Sequence, residues 1–555
     1  MRVLPGVYVE FHDYSMLPEG ETNLAVGYCL ASPRGPVGKG ELVTSPADFL
    51  SRFTLSGSPT IKDDKTFWSI LQVLKYTNQV YISRVAKDVK FGGVSVTQNA
   101  VTPLVTGLDN PEDFNFNVTQ PEEGEPVPVP KCALLGLDGG AEENKIGIEI
   151  VSYIDKGAQL VDLFENEEEM KKAKPFLIRV FEGETGNQLL EEFLVSFLDN
   201  AKAFDGSPLY IDTVLKGAGY IQCVLPLDIT DTEAPKSTTA RVMFGGGASA
   251  DFNSLTSNDA IKALEVFEDK TIPISLLGNG TGEIYENKDY HQAMLSLAEQ
   301  RQDFLAFLNS RLRDEKATMN SKKRENIVNY KKGASDDGLG STTWKGCMYA
   351  PHVNYSDVFN SRKVKIGADS TAIAGWLNVI LSQGYPYAYA GPQDGLVTGV
   401  TTDWKIGDTS GDATFLNDAS INYVAYDAKV GRYYMQCQNT LQIANSSLRN
   451  IGAVLNVLDI KQTFMTYFKE YLQKPITTRL REEMWTKGND YLKNDIQGRG
   501  RCINYTFVDA TTDLDLADNT MRYVLTIALT PYAQKIYLTM NIVNASYDFT
   551  ISQGA

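Results

Sequence analysis

Two segments near the end of the sequence alternate apolar and polar side chains so regularly that both are predicted to be β-strands. In MRYVLTIAL, one face carries Met521, Tyr523, Leu525, Ile527 and Leu529. In KIYLTMNIV, one face carries Ile536, Leu538, Met540 and Ile542. An apolar strand this close to a chain end needs a pairing partner, because an exposed strand edge otherwise promotes aggregation. That partner can lie in another subunit.

The beginning of the sequence has a matching feature. Leu4 to Glu10 indicates a turn followed by a short alternating strand, and Leu17 to Gly20 is polar. The first 20 residues are too few to bury a core, so we predict an extended arm, followed by a buried strand from Asn23 to Leu30. We predict that both chain ends pair with neighbouring subunits through Val7, Tyr8, Val9, Phe11, Ile536, Leu538, Met540 and Ile542.

The composition indicates a folded protein of several domains. Its 555 residues are 43% apolar, which is enough to bury sizeable cores. Lys and Arg total 52 against 69 Asp and Glu, and the net charge of −17 disfavours binding to nucleic acid or anionic membranes. We find no run of about 18 apolar residues and no hydrophobic signal core in MRVLPGVYVE, so we expect a soluble protein. Six cysteines without a CxxC pair are typical of a reducing cytosol.

Helical and strand patterns alternate along the chain, which predicts a mixed α/β fold with a mixed sheet. Ser45 is placed to cap a helical turn that begins at Pro46. The predicted helices cover Phe67–Leu74, Ser257–Phe267, Val454–Leu472 and Thr478–Asp495. The predicted strands cover Gln79–Val85, Asn144–Val151, Thr271–Leu277 and Cys502–Asp509, and 289–309 holds a helix and a strand.

The sequence patterns that can carry chemistry are better explained by structure. Gly245–Gly247 lacks the Lys-Ser or Lys-Thr pair that a phosphate-binding loop requires, which favours a plain turn. Asp336 and Asp337 lie in a Gly/Ser-rich stretch, which favours a solvated turn. The histidines are far apart and no GxSxG motif accompanies them, which favours solvated or structural roles for His12, His291 and His352. We therefore predict no enzyme, no metal site and no cofactor.

Several motifs occur together in an informative order. PGVYVE is followed by SPRGPVG, VTSPADFLSRF and VYISRV within the first 86 residues. This order and spacing resembles the N-terminal part of contractile tail sheath proteins from long-tailed bacteriophages. Further elements, such as WKGCMYAP and AIAGWL, extend the resemblance over nearly the whole chain. The sequence departs from the family at Tyr434–Leu441 and Leu448–Leu455, where arginines of the family pattern are missing.

The resemblance implies a multi-domain sheath-type fold, with a C-terminal core of helices and mixed sheet, an inserted outer α/β domain and extended terminal arms. The implied divisions are an N-terminal arm 1–20, a discontinuous core 21–94 and 241–534, a linker or reduced outer insertion 95–142, an inserted outer domain 143–240 and a C-terminal arm 535–555.

The resemblance also implies a function. Such a subunit polymerises as stacked hexameric rings around a tail tube and contacts baseplate and tail terminator proteins, without nucleic acid binding or membrane insertion. It is assembled in the host cytoplasm and belongs to the tail sheath of the virion. The alternatives are a sheath of a bacteriocin or type VI secretion-like machine and a soluble hydrolase with an unrecognised site.

Overall fold

The computed structural model describes residues 24–54, 59, 63–116, 130–185, 188–227, 231–407 and 410–532. Both predicted arms, with all eight of their pairing residues, lie outside these ranges, as does His12. The chain divides into two compact units, Met1–Lys461 and Gln462–Ala555.

The helices and strands are named in chain order. The strands of the first unit are β1 (Ala25–Ala31), β2 (Gly40–Val43), β3 (Val80–Val85), β4 (Gly93–Thr97), β5 (Val101–Pro103), β6 (Pro130–Gly136), β7 (Ile146–Ser152), β8 (Phe176–Glu182), β9 (Leu189–Val195), β10 (Ile221–Val224), β11 (Val242–Met243), β12 (Ile274–Gly278), β13 (Leu305–Asn309), β14 (Gly346–Ala350), β15 (Val353–Asp357), β16 (Arg362–Ile366), β17 (Leu396–Val397), β18 (Val400–Thr401), β19 (Asn422–Asp427) and β20 (Arg432–Gln436). Its helices are α1 (Pro46–Phe53), α2 (Thr66–Val73), α3 (Tyr153–Lys156), α4 (Glu167–Ala173), α5 (Ile211–Leu215), α6 (Ser257–Glu265), α7 (Lys288–Arg301), α8 (Asn320–Lys332), α9 (Ala368–Gln383), α10 (Gly391–Asp394) and α11 (Gly411–Asp418). Helix α12 (Ile451–Lys469) contains the boundary between the units, and the second unit continues with α13 (Thr478–Tyr491), β21 (Cys502–Asp509), α14 (Asp513–Ala517) and β22 (Tyr523–Leu529).

A nine-stranded mixed sheet organises the first unit, in the order β17-β20-β19-β14-β13-β12-β1-β3-β2. The strands from β19 to β3 run parallel to their neighbours, whereas β20, β17 and β2 are antiparallel at the edges. Strand β1 is buried at every position, as expected for a strand whose sheet is covered on both faces. The predicted mixed α/β class is confirmed.

Each face of this sheet carries its own apolar core. One core contains residues of α2 and α9, and the other contains residues of α6, α7, α8 and α11. The Ser45 hydroxyl accepts a hydrogen bond from the Asp48 N–H, so the predicted cap of α1 is confirmed. Helix α2 corresponds to the helix predicted at Phe67–Leu74, and all its residues are buried between the sheet and α9.

Residues 90–248 form an insert with two four-stranded sheets, β10-β6-β4-β5 and β11-β7-β8-β9. Parts of the stretch 95–142, for which the resemblance implies a linker or a reduced outer insertion, belong to these sheets. Strand β4 pairs with β6 from Gly93 to Thr97, and Val94, Val96, Cys132 and Leu134 pack into the main core of the insert. The Pro-rich and acidic sequence between these two strands hides their apolar pattern. Residues 117–129 lie outside the described ranges.

A two-stranded neck joins the insert to the rest of the first unit, which we call the core. The Lys90 N–H donates to the Ala248 carbonyl at 2.8 Å, and the Ala248 N–H donates back at 3.3 Å. The described buried apolar residues of the first unit form four clusters. The residues of the two clusters on the central sheet lie outside 90–248, and the residues of the other two clusters lie within 94–244. The insert and the rest of the first unit are thus stabilised by separate clusters of buried apolar residues.

Replacing residues 91–247 by a short Gly-Ser linker is therefore expected to leave a folded core, because the neck strands already lie side by side. Circular dichroism and a cooperative thermal transition would check this. Removing only 144–225 should instead cause misfolding, because β4 and β6 would lose the strands that cover their apolar face. Loss of the thermal transition in the 91–247 replacement would show that the two cores depend on each other.

Candidate functional site

Buried polar residues follow the carboxyl ends of three neighbouring parallel strands of the central sheet. Glu286 comes after β12, Glu315 after β13 and His352 directly after β14. Ligands of open α/β sheets usually bind at this edge, so this edge is the first candidate for a binding or catalytic site.

His352 lies between the two carboxylates. Its Nδ1 is 2.8 Å from Glu315 Oε1 and its Nε2 is 2.7 Å from Glu286 Oε1, and all three side chains are almost fully buried. Burial alone would lower the pKa of His352, but the two carboxylates outweigh it and raise the pKa to about 10. Burial likewise opposes ionisation of Glu315, but His352 and the Ser310 hydroxyl hold its pKa below the usual value. His352 is thus held as an imidazolium between the two glutamate side chains.

A second part of the same edge is built on Asp64 and Asp369, which are both fully buried. Asp64 accepts hydrogen bonds from the Ala31 N–H, the Tyr285 hydroxyl, and the N–H and hydroxyl of Thr66. Asp369 accepts from the Tyr28 hydroxyl, the Asn279 N–H and the Asn309 amide. Burial raises the pKa of each carboxyl to about 6, although these donors oppose the shift.

A cavity of about 980 Å³ adjoins this edge and has both Asp64 and Glu286 in its wall. Glu286 uses its oxygens for hydrogen bonds from the N–H groups of Gly282 and Leu312 and for the contact with His352. Both buried acids of the wall are therefore directed into the protein's own hydrogen-bond network. The arrangement stabilises the loops that follow the strands.

The other residues singled out in the sequence are explained by the contacts around them. His291 is buried, and its Nδ1 lies 2.6 Å from the Tyr330 hydroxyl. Gly246 has a φ of +82°, and a Cβ there would lie 2.6 Å from the Gly107 nitrogen, so this turn requires glycine. Asp337 accepts hydrogen bonds from Arg311 and Arg313 at the surface.

In the described ranges, no group of three His, Cys, Asp or Glu side chains could hold a metal ion. None of the helices described is long and apolar enough to cross a membrane.

The second unit presents a different kind of candidate, a two-stranded antiparallel sheet of β21 and β22. Phe507 and Tyr523 stack at 5.5 Å on one face and pack against Phe464 and Phe468 of α12. The Trp485 indole N–H donates to the Phe507 carbonyl at 2.8 Å. Burial alternates along β22 so that Tyr523, Leu525, Ile527 and Leu529 share the less exposed face, which confirms the first predicted strand.

The opposite face of this sheet is exposed in the described residues and mixes apolar side chains with polar ones such as Thr506 and Thr526. Ile503, Val508 and Val524 are 62%, 50% and 44% exposed. Within residues 462–532, β21 and β22 pair only with each other, so each strand has a second edge without a partner among the described strands. A two-stranded sheet is marginal in water, and further strands would stabilise it. The two outer edges are therefore the candidate positions for an added strand.

A solved structure with the same architecture is the sheath tail protein of Listeria innocua, which is 10% identical to this chain. The similarity covers 93% of this chain and 97% of the other, with a TM-score of 0.55. The chain has the fold of a sheath tail protein. The sheath tail protein of Desulfitobacterium hafniense (11% identity, 95% of this chain and 100% of the other) and the contracted helical sheath of the anti-feeding prophage (11%, 98% and 99%) each have a TM-score of 0.47. No protein-family model and no curated protein sequence matches the chain.

Two of the motifs on which the sequence resemblance was based lie in the central sheet and its first turn. SPRGPVG forms the turn after β1, and VYISRV is β3, paired in parallel with β1. Sequence reasoning missed the polar edge of the central sheet, although one signal was present. Glu286, Glu315 and His352 each follow a strand that is recognisable in the sequence, and the loops after parallel strands meet at one edge of a sheet.

Proposed function

We propose that this chain is the sheath subunit of a contractile phage tail. It polymerises as stacked rings around a tail tube, and contraction drives the tube through the host envelope for genome delivery. The observation that carries the proposal is the sheath fold, which extends over 93% of the chain. Because one fold can serve several functions, the assembly itself must be tested.

The proposal includes specific partners. The subunit joins hexameric rings, surrounds the tail tube protein, and meets the baseplate and the tail terminator, first in the host cytoplasm and then in the virion. Strand exchange between subunits suits such a lattice, because backbone hydrogen bonds hold the strands while the connecting segments let subunits shift. The open β21–β22 sheet supports this mode of assembly.

Electron microscopy of the purified protein, alone and with its tube protein, tests the proposal. We expect tubular polymers with a regular helical repeat. Antibody labelling of particles from the source cells would then separate two machines, because labelled tails joined to capsids indicate a phage, whereas labelled tubes without capsids indicate an injection machine. A protein that stays monomeric at all concentrations, with or without the tube, would contradict the proposal.

Assembly should depend on salt, because each subunit carries a net charge of −17. Raising the ionic strength from about 0.01 M to about 0.15 M shortens the Debye length from about 30 to about 8 Å and screens the repulsion between neighbours. We expect the critical concentration for polymerisation, measured by sedimentation, to fall several-fold. A critical concentration that is constant across this range would show that the charged surfaces lie far from the subunit contacts.

A further inference from the structure

Arg84, at the end of β3, joins the core to the insert. It is 2% exposed and donates hydrogen bonds to five carbonyl oxygens. Three acceptors belong to the turn after β1, at Ser32, Pro33 and Gly35, each 2.9 Å away. Two acceptors belong to the insert, at Asp138 (3.0 Å) and Gly139 (2.9 Å). One guanidinium therefore binds a core turn and an insert turn together.

The Asp138 carboxylate of the insert faces two more arginines of the core. Its Oδ2 accepts from the Gly35 N–H at 3.2 Å and lies 3.7 Å from Arg34 Nη2. Its Oδ1 lies 3.3 Å from Arg52 Nη2. The side chains of Arg34 and Asp138 are 4% and 3% exposed, so this ion pair is shielded from solvent.

Arg34 also reaches a second loop of the insert. Its Nη2 donates to the Gly219 carbonyl at 2.9 Å, and its guanidinium lies 4.3 Å from the centre of the Tyr220 ring. Its Nη1 donates to the Ser51 carbonyl of α1 at 3.1 Å. The planar fork of one arginine thus connects α1 of the core with the insert.

We propose that Arg34, Arg52 and Arg84 form a clamp that fixes the orientation of the insert on the core, with Asp138 as the counter-charge that closes it. The neck at residues 90 and 248 is the only covalent connection, and two adjacent strands by themselves permit rotation. The separate apolar cores mean that opening the clamp need not unfold either part. This inference concerns the chain itself and does not require that it form a sheath.

The clamp depends on the charge of Asp138. Asp138→Asn keeps the shape of the side chain but leaves the buried guanidinium of Arg34 and the partly exposed one of Arg52 without this carboxylate. Losing the buried ion pair is more costly than losing a surface ion pair. Asp109→Asn is the matched control, because Asp109 pairs with Lys90 of the neck while its side chain is 72% exposed. The same chemical change is thus made inside and outside the clamp.

Limited trypsin digestion of the full chain tests the proposal. Lys87 is exposed and lies beside the neck. Movement of the insert relative to the core should loosen the backbone around Lys87 and make it a better substrate for trypsin. We expect cleavage at Lys87 to become roughly tenfold faster in Asp138→Asn and to stay unchanged in Asp109→Asn. Hydrogen exchange should quicken at residues 32–35, 138–140 and 219–220, while β7, β8, β12 and β13 keep their protection.

Arg52→Gln provides a second variant, since Arg52 is partly exposed and its loss should open the clamp with less risk to folding. We expect an intermediate cleavage rate. Wild-type cleavage and exchange in both clamp variants would overturn the proposal. Faster exchange spread evenly over the core and the insert would also overturn it, because that result indicates general destabilisation.

Discussion

His352→Gln is expected to destabilise the first unit by about 3–5 kcal/mol, because it removes the cation from between two buried carboxylates. Glu286 and Glu315 would then face a neutral amide in a site from which water is excluded. Removing one partner of a buried ion pair leaves an uncompensated charge, which is strongly destabilising. Denaturant-induced unfolding, followed by a probe in the first unit, measures the loss.

The matched control is His291→Gln. His291 is equally buried, but burial, reinforced by Arg311, lowers its pKa to about 3, so it is neutral in the folded protein. Its replacement removes one hydrogen bond, to Tyr330, and should cost about 1 kcal/mol. Equal losses in the two variants would show that packing, rather than charge, explains the contribution of His352.

The pH dependence provides a second measurement of the same cluster. The folded pKa of His352, about 10, lies above its ordinary value of 6.5, so its contribution is complete below about pH 6.5 and is lost as the pH rises through 10. The stability difference between wild type and His352→Gln should therefore shrink from pH 7 to pH 10. Lys331 and Lys345, whose pKa values burial lowers to about 8, titrate in both proteins and cancel in this difference.

The sequence predicted those elements whose signal is local. The alternation in β22 assigns each residue to one face of the strand without knowledge of any partner. The continuous apolar run of β1 indicates burial on both faces in the same way. The helix from Val454 to Leu472 was shifted by only three residues from the observed α12. Such patterns survive because burial of one face follows directly from the helical or strand repeat.

Features that depend on distant residues were not predictable. His352 is 66 residues from Glu286, and neither neighbourhood in sequence shows that the two meet. The same holds for Arg34 and Gly219, which are 185 residues apart. Strands β4 and β6 were missed for a related reason, because the pairing between them joins residues that are distant in the sequence. Topology therefore determines the polar edge and the clamp, and a single sequence does not reveal topology.

Deleting residues 1–19 is expected to abolish polymerisation while the remaining chain stays folded and soluble. We propose that the two predicted arms, which lie outside the described residues, add strands to the sheets of neighbouring subunits. The β21–β22 sheet exposes Ile503, Val508 and Val524, and its outer edges, unpaired among the described strands, are where such strands can add. Replacing 1–19 by a Gly-Ser segment of equal length should fail in the same way, because length without side-chain pattern cannot specify the register.

The C-terminal arm allows a sharper comparison. Leu538 and Thr539 are neighbours, but the alternation of KIYLTMNIV places them on opposite faces of the predicted strand. Leu538→Asp should prevent assembly, because it places a carboxylate on the face that becomes buried, whereas Thr539→Asp should still give tubules. Negative-stain electron microscopy at matched protein concentrations measures both yields, and thermal melting checks that each subunit is folded. Tubules of wild-type length and yield from Leu538→Asp would refute strand exchange through this arm, and failure of both variants would show that the strand is buried on both faces.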